Sequence, residues 1–285
     1  MQPTLALDEQ LLAARLSSLQ DELRALGSVL VAFSGGADSA FLLAAAVRVL
    51  GPAQVVAATG VSPSLAAAEL AAAAAVADGL GVRHVTPATQ ELDRPGYAAN
   101  GADRCFHCKA TLLDTLRPLA ADLGLAHVAT GTNADDAVAL FRPGIRAAAE
   151  RGAVTPLLDA GLTKAQIRLA SRAWGLRTAD KPALACLASR LAYGVHVTPQ
   201  RLARVEAAET ALRVRLGAAV TDLRVRDLGD GVARVELDEA GLASCDEAAL
   251  TVVRGYGFTS VTAVRFRSGS LNDGLVAPIA AGRAG

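Results

Sequence analysis

The sequence predicts an α/β protein: a parallel sheet with crossover helices, followed by a smaller α+β domain. Short β-prone runs at 28–33, 54–58, 82–86 and 127–129 alternate with helical stretches at 39–50, 64–79 and 106–123. Strands separated by helices of that length pair in parallel. Between 180 and 199, in "DKPALACLASRLAYGVHVTP", the periodicity is lost. Beyond it the order becomes helix, two strands, helix, strand, which suits a second, smaller domain. At 285 residues the chain is long enough for both. The expected division is residues 1–180, a linker or active loop at 181–197 carrying Cys186, and a C-terminal domain at 198–285.

Each element has a local reason. Apolar residues recur at helical spacing from 5 to 26, with charges between them, so the chain opens on an amphipathic helix. A further helix at 163–174 takes Thr163 as its N-cap and Gly175 as its stop. In the C-terminal part a helix at 199–216 precedes strands at 222–227 and 232–237, which flank the turn residues "GDG". A helix at 246–256 and a strand at 261–267 follow. There is no internal repeat, and the only compositional bias is toward alanine.

Composition excludes several function classes. Lys plus Arg (28) equals Asp plus Glu (28) and aromatics are only 4%, so neither the broad positive field nor the stacking surface usual for nucleic-acid binding is present. The alanine-rich stretch 64–80 is interrupted by Glu69 and Asp78, no run reaches membrane-span length, and the N-terminus lacks a secretory pattern. A cytoplasmic protein with no membrane partner is expected. In that reducing setting Cys105, Cys108, Cys186 and Cys245 are thiols or metal ligands rather than a disulfide framework.

The first strand runs into "SGGADS", Ser34 to Ser39, and then into a helix. This corner lies at the carboxyl edge of the sheet, where open α/β folds bind ligands. Gly35 and Gly36 allow backbone conformations barred to other residues and turn amide N–H groups toward one point, and the helix N-terminus adds positive potential. That geometry suits a phosphate. No lysine occurs in or near the loop, which rules out a Walker A motif. The plain alternative is a glycine turn with Asp38 or Ser39 capping the helix. The stretch resembles the Ser-Gly-Gly-x-Asp-Ser loop of the ATP pyrophosphatase (PP-loop) superfamily, whose members cleave ATP between the α- and β-phosphates to form an adenylate. The resemblance implies that Ser34, Gly35, Gly36 and Ser39 cradle the pyrophosphate and that Asp38 helps hold Mg2+, a hard cation suited to oxygen ligands.

"DRCFHCK" places Cys105 and Cys108 at C-x-x-C spacing where a helix begins, and Cys186 follows in "ACLASR". Such a pair serves zinc sites, redox pairs, iron–sulfur clusters or plain packing. Zinc needs a fourth ligand, with His107 or Cys245 available, although His107 sits between the two thiols. Three cysteines without an obvious fourth suit a 4Fe-4S cluster with one open iron. Cys245 is read as a buried thiol.

"DRCFHCK", "GTNADD" (131–136), the stretch 141–168, "DKPALACLASR" and "FRSGSLN" (266–272) resemble, in that order and over nearly the whole chain, the LarE family of ATP-dependent sulfur transferases that serve the nickel-pincer nucleotide of lactate racemase. The resemblance implies a small-molecule substrate, pyridinium-3,5-biscarboxylic acid mononucleotide, whose carboxylates are adenylated and converted to thiocarboxylates. It also implies a sulfide or other sulfur donor and a homo-oligomer. Two sulfur chemistries belong to the family. In one, Cys105, Cys108 and Cys186 hold a 4Fe-4S cluster carrying an extra sulfide. In the other, Cys186 gives up its own sulfur and becomes dehydroalanine. The presence of all three cysteines favours the cluster form.

The remaining candidates gain weight from this context. Gly131, Asn133 and Asp135 are expected at the ATP site with Thr132 shaping the loop, and Asp135 or Asp136 is placed to meet magnesium or the adenylate. Arg190, near Cys186, suits a phosphate or carboxylate at the transferring centre and is counted as catalytic with Cys186 and Asp38. Arg224 and Arg226 share a strand face by their two-residue spacing and are expected on the substrate phosphate. Glu206 and Glu209 share a helix face, with no role fixed. The chief competitor is a PP-loop enzyme that thiolates tRNA, disfavoured by the zero net charge. A non-enzymatic adenine-nucleotide-binding module is the other alternative.

Overall fold

The computed structural model describes residues 2–138, 143–182, 185–218, 220–267 and 269–272. Phe141, Arg142, Ala183, Leu184 and Ser268 of the stretches quoted above, and residues 273–285 of the expected C-terminal domain, lie outside the described residues. In chain order the elements are α1 (Gln2–Leu26), β1 (Val29–Ala32), α2 (Ala37–Leu50), β2 (Val55–Ala58), α3 (Ala67–Gly79), β3 (Arg83–Val85), α4 (Pro95–Ala98), α5 (Arg104–Asp122), β4 (His127–Thr130) and α6 (Ala134–Val138). They continue with α7 (Pro143–Glu150), α8 (Pro156–Asp159), α9 (Lys164–Ala173), α10 (Pro199–Leu216), β5 (Leu223–Gly229), β6 (Val232–Leu237), α11 (Glu239–Ser244), α12 (Glu247–Arg254) and β7 (Ser260–Arg265). The chain forms two compact units, one from residues 1–62, 67–91 and 105–184, the other from 63–66, 92–104 and 185–285.

The first unit is built on a parallel sheet of order β3-β2-β1-β4, with Val29 opposite both Val55 and His127. β1 reads "VLVA" and every residue in it is buried, as a strand covered on both faces requires. Val29 and Val31 face a core with Leu19, Leu23, Phe41 and Ile167, whereas Leu30 and Ala32 face Leu113, Leu116 and Ala120 of α5. Trp174 stacks on Phe41 at 4.7 Å. The chain enters α9 through the expected cap: Thr163 accepts from the N–H of Gln166, and the Gln166 side chain bonds back to the Thr163 backbone. Because β1 has β2 on one side and β4 on the other, the loops after β1 and β4 diverge at the carboxyl edge. Such a switch point is where doubly wound sheets bind ligands.

The second unit carries a mixed sheet of order β5-β6-β7, with β5 and β6 antiparallel and β6 and β7 parallel. The turn between β5 and β6 uses three positive-φ residues, Gly229 (91°), Asp230 (48°) and Gly231 (76°), which explains its glycines. Leu223, Val225, Val235 and Leu237 bury one face, and α10 packs on β5 with Leu202, Val205, Ala208 and Leu212 buried. The opposite face carries Arg224 opposite Glu236 and Arg226 opposite Arg234. Among its described residues the stretch 180–198 holds a 3-10 turn, Leu187–Arg190. This is the α/β architecture with a smaller mixed-sheet domain that the sequence predicts.

Candidate active site

The glycine loop joins β1 to α2. Its first glycine, Gly35, has φ of 69°, and a Cβ there would sit 3.0 Å from that of Ala73 on α3. A side chain is therefore excluded twice. The N-cap of α2 is Gly36, which makes no side-chain cap bond, and Asp38 lies inside the first turn. The helix thus opens on N–H groups that no side-chain cap covers, a suitable anion seat. Two hydroxyls stiffen the loop. Ser39 Oγ accepts from the Ser34 N–H at 3.3 Å, donates to the Gly36 carbonyl at 3.2 Å and lies 3.1 Å from Ser34 Oγ.

Asp38 is the outlier in this loop. Its Oδ1 is buried without a hydrogen-bond partner, and its Oδ2 lies 3.7 Å from Nζ of Lys164. Burial raises its carboxyl above the ordinary aspartate range and the Asp136 charge adds to this, while Lys164 and Arg168 pull the other way. An acceptor oxygen left without a donor in a partly dry site suits a bound cation.

The loop after β4 closes against the same corner. A Cβ on Gly131 would stand 2.9 Å from the Ser39 nitrogen, so glycine is needed for close approach of β4's end to α2. Asn133 Oδ1 accepts from the N–H groups of Asp135 and Asp136 at 3.0 and 3.1 Å, and Asp136 Oδ2 accepts from the Asn133 N–H. Asn133 Nδ2 is buried without a partner. Asp135 Oδ2 accepts from the Lys164 N–H at 2.7 Å, which fastens this loop to the start of α9. Thr132 shares a hydroxyl contact with Thr130 at 3.1 Å. Ser34, Gly35, Gly36, Asp38, Ser39, Gly131, Asn133 and Asp135 therefore assemble in the first unit. Lys164, not singled out in the sequence, joins them; its one local signal is the N-cap threonine before it.

In the second unit Cys186 heads the 3-10 turn with its residue exposed. Its carbonyl is held by the N–H and Oγ of Ser189 (2.9 and 2.7 Å) and by Nη1 of Arg190 (3.2 Å). Arg190 is buried and forms a bidentate pair with Glu209, at 2.9 and 3.2 Å. Glu209 also accepts from the Val225 N–H at 2.9 Å. Arg190 thus braces the Cys186 turn against α10 and β5, and Glu209 acquires the role the sequence left open.

Arg224 and Arg226 are both buried, 7% and 6% exposed, rather than displayed to solvent on an edge strand. They differ in what they hold. Arg226 is paired with Glu236 at 3.0 and 2.8 Å and donates to the Ser189 carbonyl. Arg224 donates to the Leu223 carbonyl at 2.7 Å, lies 5.5 Å from the Phe266 ring and forms no carboxylate ion pair among the described residues. Burial lowers its guanidinium's ordinary proton affinity, and the Arg190 charge adds to this. Missed by the sequence reading, Asn100 (φ 58°) donates to the carbonyls of Ala192 and Val195 at 2.7 and 2.8 Å, and Arg104 donates to Asn100 and to the Ala188 carbonyl. No local pattern marks Asn100, and Arg104 is marked only by its place in "DRCFHCK".

Cys105 and Cys108 stand in the first turn of α5 and belong to the first unit, Cys186 to the second. Cys105 and Cys186 are exposed and Cys108 half-buried. Among the described residues no three His, Cys, Asp or Glu side chains are gathered to hold a metal. Cys245 is half-buried rather than fully buried, and burial, with the Asp246 charge adding to it, pushes its thiol up. No helix among the described residues is long and apolar enough to cross a membrane.

No protein-family model matches the chain. A pyridinium-3,5-bisthiocarboxylic acid mononucleotide synthase of Lactiplantibacillus plantarum is 32% identical over 269 residues, 93% of this chain and 96% of the relative. The chain belongs to the LarE family. An uncharacterized protein of Synechocystis is 40% identical over 270 residues, 92% of this chain and 98% of its own length. LarE membership implies ATP use and an ATP-dependent sulfur-insertion enzyme, and the match runs through both units rather than through the nucleotide loop alone.

Proposed function

We propose that this protein adenylates the carboxylates of pyridinium-3,5-biscarboxylic acid mononucleotide and converts them to thiocarboxylates. The observation that carries this reading is the buried, partnerless Oδ1 of Asp38 beside an uncapped helix N-terminus, in a chain similar over its length to a synthase of the bisthiocarboxylic mononucleotide. The loop N–H groups hold the phosphates, with Ser34 and Ser39 fixing their direction. Mg2+ fits at Asp38, whose acceptor oxygen lacks a donor, and when bound it neutralises charge on the phosphate oxygens. Lys164 stands where its ammonium meets the same charge. A carboxylate oxygen attacks the α-phosphorus and pyrophosphate leaves; incoming sulfur then attacks the acyl carbon, and AMP leaves with the former carboxylate oxygen. Arg224, which forms no carboxylate ion pair among the described residues, takes the substrate phosphate, and Arg226 and Arg190 hold the Cys186 turn.

In this reading Cys105, Cys108 and Cys186, soft thiol donors of the kind iron takes, would hold a 4Fe-4S cluster, although among the described residues no three such side chains are gathered. The cluster would supply an iron to carry the sulfide for transfer. A catalytic cycle and a homo-oligomer belong to the same reading; nucleic acid does not. The test is turnover of anaerobically reconstituted protein. Pyrophosphate release is expected only with ATP and the mononucleotide together. Bound iron should fall in each single cysteine-to-alanine variant at positions 105, 108 and 186, with no loss of protein mass after turnover. Stoichiometric conversion of Cys186 to dehydroalanine, with the other two variants active, would establish the sacrificial route instead.

A further inference from the structure

The sequence places no lysine beside the glycine loop, but the fold brings a second one there besides Lys164, from late in the first unit's sequence. Lys181 donates from Nζ to the carbonyl of Gly35 at 3.1 Å and to Oε2 of Glu69 at 2.8 Å. Its own carbonyl accepts from Nη2 of Arg168 at 3.1 Å, so its backbone is anchored as well. The Lys181 and Glu69 side chains are 18% and 26% exposed. A charged group this shielded needs its partners, and one of the two is a loop carbonyl.

The Gly35 carbonyl and the Gly36 N–H belong to one rigid, trans peptide plane and point in opposite directions. With glycine on both sides, that plane rotates at little steric cost. Fixing the oxygen on Lys181 therefore fixes the Gly36 N–H on the other side, where it donates to the Ser34 hydroxyl at a long 3.4 Å. Rotated the other way, the same peptide would present its oxygen to phosphate. We propose that Lys181, braced by Glu69, is a positioning residue for ATP that holds the Gly35–Gly36 peptide with its N–H toward the phosphate site. The inference rests on reading this loop as the ATP site.

The test is equilibrium binding of α,β-methylene-ATP with Mg2+ to the full chain, without acceptor substrate, alongside melting temperatures. Removing a charge-assisted hydrogen bond predicts affinity about tenfold weaker for Lys181→Met. Glu69→Gln should weaken it about threefold, and Lys181→Arg should restore most of the loss because it keeps the charged donor. Lys181→Met binding as tightly as wild type, with wild type binding normally, overturns the positioning role alone. So does a Lys181→Arg variant as weak as Lys181→Met whose melting temperature falls by the same amount. Wild-type protein that does not bind the analogue overturns the ATP-site reading and this role with it.

Discussion

Asp38 in the first unit and Asp227 in the second are the same residue type in shielded surroundings, and their environments are opposite. Asp227 is fully buried and accepts from Arg201 and Arg204 at 2.8 and 2.5 Å and from the Gly229 N–H at 2.9 Å. Burial acts to raise its carboxyl, but these donors outweigh it and hold the group below the ordinary range. Asp38 keeps one oxygen partnerless and is raised. A buried acceptor without a donor costs stability, and at Asp38 it sits beside the open N-terminus of α2. The Asp227 carboxylate ties structure together; the Asp38 carboxylate is the one proposed above to meet the metal.

The largest expected effect breaks this contrast at Asp38. Asp38→Asn should lower substrate-dependent pyrophosphate release by at least about a hundredfold, while the melting temperature stays at or slightly above wild type near neutral pH. The sign follows from linkage. A carboxyl raised in the folded state contributes its stability when protonated and loses it as pH rises through its folded value, so the neutral amide escapes that cost. Circular-dichroism melts and a pyrophosphate assay read the two halves separately.

Asp227→Ala should do the reverse, removing about 3 kcal/mol of stability by leaving two arginines unpaired, with ATP affinity unchanged; urea unfolding checks it. Because its carboxyl is depressed, the Asp227 contribution is present above the ordinary aspartate range and is lost as pH falls through the folded value. Gly131→Ala is expected to cost about 2 kcal/mol, since the new Cβ meets the α2 backbone, and to weaken nucleotide binding as the helix start shifts. The smallest effect sharpens the comparison among arginines. Arg224→Met should weaken mononucleotide binding about tenfold, leaving nucleotide binding and stability nearly intact, whereas Arg226→Met leaves Glu236 to Arg234 and Ser270 and lowers stability as well.

Much of this was legible in sequence because its causes are local. The glycine loop, the Thr163 cap, the "GDG" turn and the alternation of strands with helices each depend on neighbouring residues. Arg224 and Arg226 were placed on one face by spacing alone. What the sequence did not reveal is what those side chains hold. Register sets Arg224 opposite Glu236, yet it is Arg226, one pair along, that Glu236 binds, so the pairing follows from how the side chains cross between strands. That Lys181 reaches Gly35, and that Asn100 reaches Ala192, depends on closures across long stretches of chain, which no window of periodicity contains. The interleaving of 63–66 and 92–104 with the C-terminal segment has the same origin.

In the proposed reaction the Asp38 carboxylate and the open terminus of α2 serve attack by a substrate carboxylate on the α-phosphorus of ATP. Mononucleotide labelled with 18O in its carboxylates tests this directly, by mass spectrometry of the AMP and pyrophosphate released in a single turnover with sulfide present. The account predicts one 18O atom in AMP and none in pyrophosphate, because the attacking carboxylate oxygen departs with AMP when sulfur replaces it. AMP without label, or 18O in the pyrophosphate, would contradict it.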